Sequence, residues 1–288
     1  MQPANKILFV RLRNEPFEQV NYVVHRLAEE WRKRGIIVEV TDRLSEATGP
    51  DVLIFPHFDL TLTPPPIVEL LSRCARVINR SVTDISKRAI SRHLVTAREA
   101  YHGPVIVKTS RNYGGIPEAR ASAGRGVLQR SLVRLARRLP WTVSGLVGVN
   151  GYRIYDHPRL VPYLVWRNPL LVVEKFLPER EGDLYCLRQY IFLGGCEINS
   201  RAVSRQPLVK SSNVIRREII ADTPAALRDF RAQLGFDYGK FDYVLHGDEA
   251  VIFDVNRTPT YDPASKAGTA NALLLKLAPG IHPFLGQA

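Results

Sequence analysis

Three side chains with oxygen donors occur close together near the end of the sequence and are candidates for a metal site. Asp242, Asp254 and Asn256 fall in two apolar runs, FDYVL and AVIFDVN, that flank a short polar turn at 246–249, a pattern typical of a β-hairpin. Carboxylate and amide oxygens are ligands that Mg²⁺ accepts, and carboxylates in an apolar hairpin need a cationic partner or a metal. The pattern therefore predicts a magnesium site. The alternative is that these residues serve only the turns at the strand ends.

The register of this hairpin decides whether the three side chains can meet. Side chains two apart on a strand share a face, so Asp254 and Asn256 point the same way. A two-residue turn at 247–248 with regular pairing would set Asp242 opposite Phe253 and leave Asp254 on the other face of the hairpin. We therefore expect a turn of three or five residues, or a β-bulge that restores the phase.

Two lysines are candidates for binding phosphate. Lys108 ends the apolar strand pattern VIVKT at 105–109, just ahead of the glycine-containing segment NYGG at 112–115, and Lys87 precedes it within a helical pattern. The backbone N–H groups of such a segment and a nearby ammonium group bind anionic oxygens together. The alternative is that a strand-end lysine extends its charge to solvent without a ligand.

An acidic segment follows the apolar strand pattern at 170–176. Its carboxylates are Glu174, Glu179, Glu181 and Asp183. One interpretation is a solvated loop. The other is a site in which one carboxylate lies near a ribose diol while the backbone at 174–177 pairs with a purine edge. The residues alone leave both open.

The elements that position these residues begin with an N-terminal layer. Apolar runs at 6–10, 36–40 and 52–55 are separated by an amphipathic helix pattern from Val20 to Trp31 and by a loop. This order of elements predicts a parallel βαβ layer.

Two further parts follow the N-terminal layer. A helical pattern from Ile85 to Leu94 and the strand at 105–109 lead into a polar segment at 111–126, which we interpret as a mobile loop that closes over phosphates. From 171 onward, strand patterns joined by turns at 194–195 and near 247 predict an antiparallel sheet. The predicted fold class is therefore α/β with α+β.

The composition fits a globular protein of 288 residues, with 45% hydrophobic and 24% charged residues. The apolar runs are too short for a membrane span or a signal peptide, so we expect no membrane association and a cytoplasmic location. Three cysteines without metal-ligand spacing argue against a disulfide framework and a zinc site. The net charge of +12 favours anionic partners, either nucleic acid or small anions such as nucleotides and carboxylates.

Taken in order along the chain, these segments resemble the ATP-grasp superfamily, which includes D-alanine–D-alanine ligase, glutathione synthetase and the ribosomal-protein glutamate ligases. The resemblance covers about residues 80–260. It implies an N-terminal βαβ domain at 1–80 and an ATP-grasp domain at 81–288, with a small lid subdomain at about 102–173 and an antiparallel C-terminal subdomain. It also implies ATP and Mg²⁺ as cofactors, with Mn²⁺ as the alternative ion.

The resemblance assigns roles to individual residues. Those implied to bind the nucleotide are Lys87, Lys108, Glu174, Lys175, Phe176, Leu177, Glu181 and Lys210. Those implied to face phosphate and substrate are Arg188, Arg201 and Asn213, and the implied metal ligands are Asp242, Asp254 and Asn256. The run at 256–261 departs from the family's pattern, so the resemblance does not imply which acceptor this chain uses. The segment 141–169 matches no part of the family whose role is known.

The activity that the resemblance implies is ligation. A substrate carboxylate attacks the γ-phosphate of ATP, and an amine, less often a thiol, then displaces phosphate from the acylphosphate. The implied partners are small, anionic carboxylate and amine substrates. One alternative is a phosphotransferase with the same nucleotide site. The other is a basic nucleic-acid-binding module that uses the arginines at 125–138, although these lack the interleaved aromatic residues that stack on bases.

Overall fold

The computed structural model describes residues 4–13, 15–43, 49–123, 138–147, 151–262 and 272–286. Within these ranges the strands form three sheets, one parallel and two antiparallel, as the predicted fold class requires. Most of the arginine-rich segment at 125–138 lies outside them. Among the described residues, no helix combines the length and the apolar character needed to cross a bilayer.

The first sheet is parallel and has the strand order β2-β1-β3-β4. Its strands are β1 (Lys6–Val10), β2 (Ile37–Thr41), β3 (Val52–Pro56) and β4 (Arg76–Val77). Helix α1 (Val23–Lys33) buries Leu27 and Trp31 against it, and Gly35 follows with a φ of +82°, which glycine adopts without strain. Helix α2 (Pro65–Arg73) begins at a proline. Backbone N–H groups in the first turn of a helix have no partner within the helix, so proline, which lacks this group, costs no hydrogen bond there. The predicted βαβ layer is confirmed.

The helix predicted from Ile85 to Leu94 is shorter in the structure. Helix α3 spans only Lys87–Ile90. Beyond it the chain is extended, and the backbone N–H of Val95 donates to the carbonyl oxygen of Val173 at 2.8 Å. Backbone pairing with a lid strand therefore replaces the helix that the apolar spacing predicted.

The prediction of a loop at 111–126 is wrong for the residues that the structure describes. A 3-10 turn leads directly into helix α4 (Ile116–Ala123), and Gly115 permits this turn with a φ of +75°. Asn112 is buried, and its Nδ2 donates to the carbonyl oxygen of Val255 at 3.0 Å. The start of this segment is therefore attached to the third sheet.

The second sheet falls in the segment predicted to be a lid and is called the lid below; it has the order β6-β5-β7 with antiparallel pairing. Its strands are β5 (Val105–Thr109), β6 (Arg153–Tyr155) and β7 (Leu171–Lys175). Helices α5 (Trp141–Ser144) and α6 (Tyr163–Arg167) complete it. The aromatic side chains of Trp141 and Trp166 pack against its valine-rich core.

The third sheet is antiparallel, with the order β11-β10-β9-β12-β13 and with β8 paired to β9. Its strands are β8 (Glu179–Glu181), β9 (Leu184–Leu193), β10 (Cys196–Ser204), β11 (Val214–Ile220), β12 (Tyr238–His246) and β13 (Glu249–Asn256). Helix α7 (Ala225–Leu234) covers one face with Leu227 and Phe230. Strand β8 lies within the acidic segment, so part of that segment is a strand and only the rest can be a loop.

The β12–β13 hairpin contains a bulge. Its two-residue turn is followed by regular pairing as far as Tyr243 and Ile252. The next pair is Asp242 with Asp254, so Phe253 is left out of the ladder. The expected shift of phase is confirmed, because the short turn occurs without regular pairing down to Asp242.

The C-terminal residues return to the first sheet. The Trp31 indole donates to the carbonyl oxygen of Ala278 at 2.9 Å, and helix α8 (His282–Leu285) buries Leu285 in the same core. Short 3-10 turns occur at Phe17–Gln19, Asn112–Gly115, Pro158–Leu160, Ser211–Asn213 and Ala278–Ile281.

Asn79 joins the first sheet to the third. Its backbone has a φ of +55°, and its side chain is buried. The side-chain Oδ1 accepts hydrogen bonds from the backbone N–H groups of Asp237 and Tyr238, at 2.8 and 3.0 Å, and Nδ2 donates to the Tyr238 carbonyl oxygen at 2.7 Å. These three bonds fix the start of β12 relative to the end of β4.

We predict that Asn79→Ala lowers the free energy of unfolding by about 3 kcal/mol, because it leaves buried backbone groups unpaired and forces a left-handed conformation on alanine. Asn79→Gly loses the same bonds without that backbone strain, so it should be about 1 kcal/mol milder. Urea unfolding measures both variants. Equal stability of Asn79→Ala and the natural protein would show that these bonds do not join the sheets.

Candidate active site

A cavity of about 700 Å³ lies where the three sheets meet. Its walls include lid residues of β5 and β7, residues of β12 and β13, and N-terminal residues at 19–22 and 59. Ten residues predicted to bind nucleotide or metal line it: Lys87, Lys108, Glu174, Lys175, Phe176, Leu177, Lys210, Asp242, Asp254 and Asn256.

The predicted metal ligands share one face of the β12–β13 hairpin. Asp242 opposes Asp254 and Lys240 opposes Asn256, and directly opposed residues of an antiparallel pair lie on the same face. Each carboxylate contacts a lysine. Asp254 Oδ1 lies 3.0 Å from Lys87 Nζ, and Asp242 Oδ2 lies 3.1 Å from Lys240 Nζ.

The donor chemistry of this face fits a hard divalent cation. Among the described residues, no group of three or more histidine, cysteine, aspartate or glutamate side chains is placed to hold a metal, so the third donor here is an amide. The Asn256 Oδ1 accepts the backbone N–H of Thr258 at 2.8 Å, which fixes its orientation. Mg²⁺ commonly takes one or two carboxylates and completes its shell with water and phosphate.

Lys87 carries its charge inside the cavity wall, where only 2% of the residue is exposed. Burial on its own lowers the pKa of a lysine. Burial is the largest single effect here, but the Asp254 carboxylate, its hydrogen bond to the ammonium group, and the nearby Tyr152 and Glu174 together raise the pKa by more, so the net pKa of Lys87 lies above its ordinary value. Lys87 is therefore protonated at neutral pH.

Lys108 and Glu174 form a buried ion pair at the lid side of the cavity. The Lys108 ammonium also lies 4.9 Å from the ring centroid of Phe253 and 3.5 Å from its carbonyl oxygen. The residue left out of the β12–β13 ladder thus contacts the lid lysine. The second oxygen of Glu174, Oε1, is buried without a hydrogen-bond partner among the described residues.

Three solved structures have folds similar to that of this chain. PsnB, an ATP-grasp ligase complexed with a minimal precursor, has a TM-score of 0.53 and 12% identity over 95% of this chain and 99% of that chain. PsnB complexed with a phosphomimetic variant of the minimal precursor, Mg and ADP has a TM-score of 0.52 and 11% identity over 97% and 99%. The macrocyclase MdnC bound with precursor peptide MdnA, from Microcystis aeruginosa MRC, has a TM-score of 0.51 and 10% identity over 95% and 98%.

The chain has the ATP-grasp fold. The predicted resemblance is confirmed at the level of the fold. No protein-family model matches the sequence, and no curated protein matches it.

Two arginines assigned to phosphate and substrate by the ATP-grasp resemblance do not line the cavity. Arg188 of β9 opposes Arg201 of β10 on one side and Tyr243 of β12 on the other. Tyr243 is the residue next to Asp242 in β12, so its side chain points to the other face of the sheet. Both arginines therefore lie on the opposite face of the sheet from Asp242. Their guanidinium groups bind Glu179 there, and Arg188 does so through two nitrogens.

Glu181 and Asn213 also lie away from the cavity wall. Glu181 forms ion pairs with Arg201 and Arg216, and the hydrogen bond from Arg216 lowers the pKa of that carboxyl. Asn213 Oδ1 accepts the backbone N–H of Lys210 at 2.9 Å and closes its own turn. The predicted ribose and substrate contacts of these residues have no support from this geometry.

The face of the third sheet that carries Asp242 instead presents Gln189 and Arg217, which the sequence reasoning missed. Gln189 opposes Asp242, and its Nε2 donates to Asp242 Oδ1 at 3.0 Å. Arg217 donates to Gln189 Oε1 at 2.6 Å. Each of these residues neighbours an arginine in the sequence, at 188 and 216, so only the register of β9 and β11 could have distinguished them.

The N-terminal part contributes Asp59, which the sequence reasoning also missed. Its Oδ1 accepts from the Thr258 hydroxyl at 3.1 Å and its Oδ2 from the Tyr22 hydroxyl at 3.4 Å. Burial, together with the neighbouring Glu15 carboxylate, raises the pKa of Asp59. A signal was present, because Asp59 follows β3 at the carboxyl edge of a parallel sheet, where ligands of α/β folds bind.

We predict that Lys108→Met lowers the free energy of unfolding by about 3–5 kcal/mol, because it leaves the buried Glu174 carboxylate without its counter-charge. The double variant Lys108→Met/Glu174→Gln removes that isolated charge and should recover part of the loss. Urea unfolding of both variants provides the comparison. A Lys108→Met variant as stable as the natural protein would contradict a buried ion pair.

We predict that Asp59→Asn stabilises the protein at neutral pH. A carboxyl whose pKa is raised by folding opposes folding once it is ionised, and this loss develops as pH rises from the unfolded pKa through the folded one. The gain in unfolding free energy should therefore be larger at pH 7.5 than at pH 4.5. A loss of stability that is the same at both pH values would assign Asp59 a purely structural role.

Proposed function

We propose that this chain is an ATP- and Mg²⁺-dependent ligase that joins a carboxylate to an amine through an acylphosphate. The observation that supports this best is the shared face of Asp242 and Asp254 in a cavity that five lysines of the described residues also line. A triphosphate needs charges of both kinds, because phosphoryl transfer depends mainly on positioning and on neutralising the phosphate oxygens.

The roles proposed for the metal and phosphate groups follow their positions. Asp242, Asp254 and Asn256 would hold Mg²⁺, which neutralises phosphate charge when bound. Lys87 and Lys108 bind phosphate oxygens with ammonium groups that already lie in the cavity wall.

Residues 174–177 are proposed to bind the adenine. The backbone at 174–177 lines the cavity beside the lid, where it can pair with a purine edge. Glu174 Oε1 is free, within the described part of the chain, to accept an N–H group. An unmet buried acceptor is costly, so a ligand that donates to it gains specificity.

The proposed reaction requires no nucleophilic side chain, because the substrate carboxylate itself attacks the γ-phosphate. Cys186 lines the cavity, but burial raises the pKa of its thiol, so it is not an activated nucleophile. The side chains of the cavity are proposed to bind, orient and neutralise.

The substrates are proposed to be a carboxylate and an amine, either small molecules or groups on a peptide. Peptides are included because structures similar to this chain show PsnB complexed with precursor peptide PsnA2 and MdnC bound with precursor peptide MdnA. A phosphotransferase would use the same nucleotide site. Its products would be ADP and a phosphorylated acceptor, whereas a ligase forms ADP, phosphate and a joined product.

We predict that ATP with Mg²⁺ raises the melting temperature, because a ligand that binds only the folded state adds about 2.7 kcal/mol at a hundredfold excess over its Kd. Lys87→Met should reduce this shift. Lys33→Met, at an exposed position of α1, removes the same charge and serves as the control. The absence of a shift with ATP, ADP or a nonhydrolysable analogue would contradict the nucleotide site.

The reaction itself is tested by a screen of carboxylates and amines, peptides included, for acceptor-dependent phosphate release. Mass spectrometry of the products should find a joined molecule formed in equal amount to ADP. A phosphorylated acceptor without a joined product would establish the phosphotransferase instead.

A further inference from the structure

Asp59 differs from the other carboxylates that line the cavity. Glu174, Asp242 and Asp254 each contact the ammonium group of a lysine. Among the described residues, Asp59 forms no ion pair with a lysine or arginine, and its side-chain contacts are the hydroxyls of Tyr22 and Thr258. It is therefore a partly buried carboxyl group that no cationic side chain of the described residues contacts directly, an arrangement that is costly in the ionised form unless a ligand supplies the charge.

The charged groups packed around Asp59 do not supply this missing partner. Glu15 accepts the backbone N–H of Asp59 at 2.9 Å and adds a second negative charge. His57 lies beside Glu15, with 3.7 Å between Nδ1 and Oε1. Burial lowers the pKa of Arg257 and the nearby Asp59 opposes this, so the two charges attract, but the hydrogen bonds of the guanidinium go to the hydroxyl of Thr63 and to backbone carbonyl oxygens.

Asp59 is separated from the proposed metal site by a single hydroxyl group. The Thr258 Oγ1 lies 3.1 Å from Asp59 Oδ1 and 3.2 Å from Asn256 Oδ1. A hydroxyl has one proton, so it can donate to only one of these two oxygens at a time. The carboxylate thus retains unused acceptor capacity beside the place where the phosphates are proposed to react.

We propose that Asp59 binds an ammonium group of the amine substrate, other than the neutral amine nitrogen that attacks the acylphosphate, and so selects a cationic acceptor. This inference rests on the proposed ligase function and names the chemical class of its second substrate. An ammonium group supplies both the positive charge and the N–H donors that Asp59 lacks, and charge-assisted hydrogen bonds of this kind are strong and directional. Thr258 orients the carboxylate, and the Tyr22 hydroxyl holds its other oxygen.

The test compares ammonium probes with uncharged analogues of the same length. The probes are 1,4-diaminobutane and ethanolamine, matched by 1,4-butanediol and ethylene glycol, each titrated in the presence of Mg²⁺ and ADP and followed by saturation-transfer NMR. The natural protein should prefer the ammonium member of at least one pair. Asp59→Asn should weaken the binding of that ammonium probe by about tenfold to a hundredfold, because it removes a charge-assisted contact.

Two controls separate this inference from its alternatives. Asp229→Asn, at an exposed position of α7, makes the same charge change outside the cavity and should leave ammonium binding unchanged. The melting shift caused by ATP and Mg²⁺ should also be unchanged in Asp59→Asn. A reduced shift in that variant would make Asp59 part of the metal site and overturn the inference.

The remaining outcomes also test whether Asp59 binds the ammonium group. No preference for ammonium over hydroxyl in either pair, or equal ammonium binding by Asp59→Asn and the natural protein, would overturn the assignment. If the natural protein shows no ATP shift but loses ammonium binding in Asp59→Asn, the ligase proposal fails while the ammonium site stands.

Discussion

Phe253 is one residue more than a regular ladder between β12 and β13 can hold, and the geometry of the cavity depends on how that residue is accommodated. With a two-residue turn, regular pairing would set Asp242 opposite Phe253 and turn Asp254 away. The bulge removes Phe253 from the ladder, so the two carboxylates face each other on one side. The displaced residue then lies against Lys108 of the lid, which links the hairpin face of Asp242 and Asp254 to the lid.

Among the described residues, three of the four carboxylates of the cavity discussed above contact a lysine in the absence of a ligand, and Asp59 is the exception. Each of the carboxylates Asp242, Asp254 and Glu174 contacts a lysine, so their partial burial in the cavity wall has a limited cost. A magnesium nucleotide can exchange partners with these pairs, since its ion matches the carboxylates and its phosphates match the ammonium groups. Asp59 has no such pair among the described residues, and this distinguishes the proposed acceptor end of the cavity from the proposed nucleotide end.

The sequence predicted what depends on local patterns and failed where distant pairing decides. Strand alternation predicted either a turn of odd length or a bulge, and the apolar runs predicted the parallel layer and the C-terminal antiparallel sheet. They placed β7 in the latter and did not predict the separate sheet in which β7 pairs with β5. The helix beyond Ile90 and the loop at 111–126 were wrong because backbone pairing to Val173 and the burial of Asn112 are contacts between distant segments. For the same reason Arg188 was preferred to its neighbour Gln189, since only the register between β9 and β12 shows which of the two shares a face with Asp242.

The most direct measurement is a crystal structure of the protein with Mg²⁺ and a nonhydrolysable ATP analogue. We predict that the phosphates lie against Lys87 and Lys108 and that the ion is held by Asp242, Asp254 and Asn256, at about 2.0–2.6 Å from their oxygens. The adenine should pair with the backbone at 174–177. A nucleotide bound outside this cavity, or an ion held without Asp242 and Asp254, would contradict the proposed site.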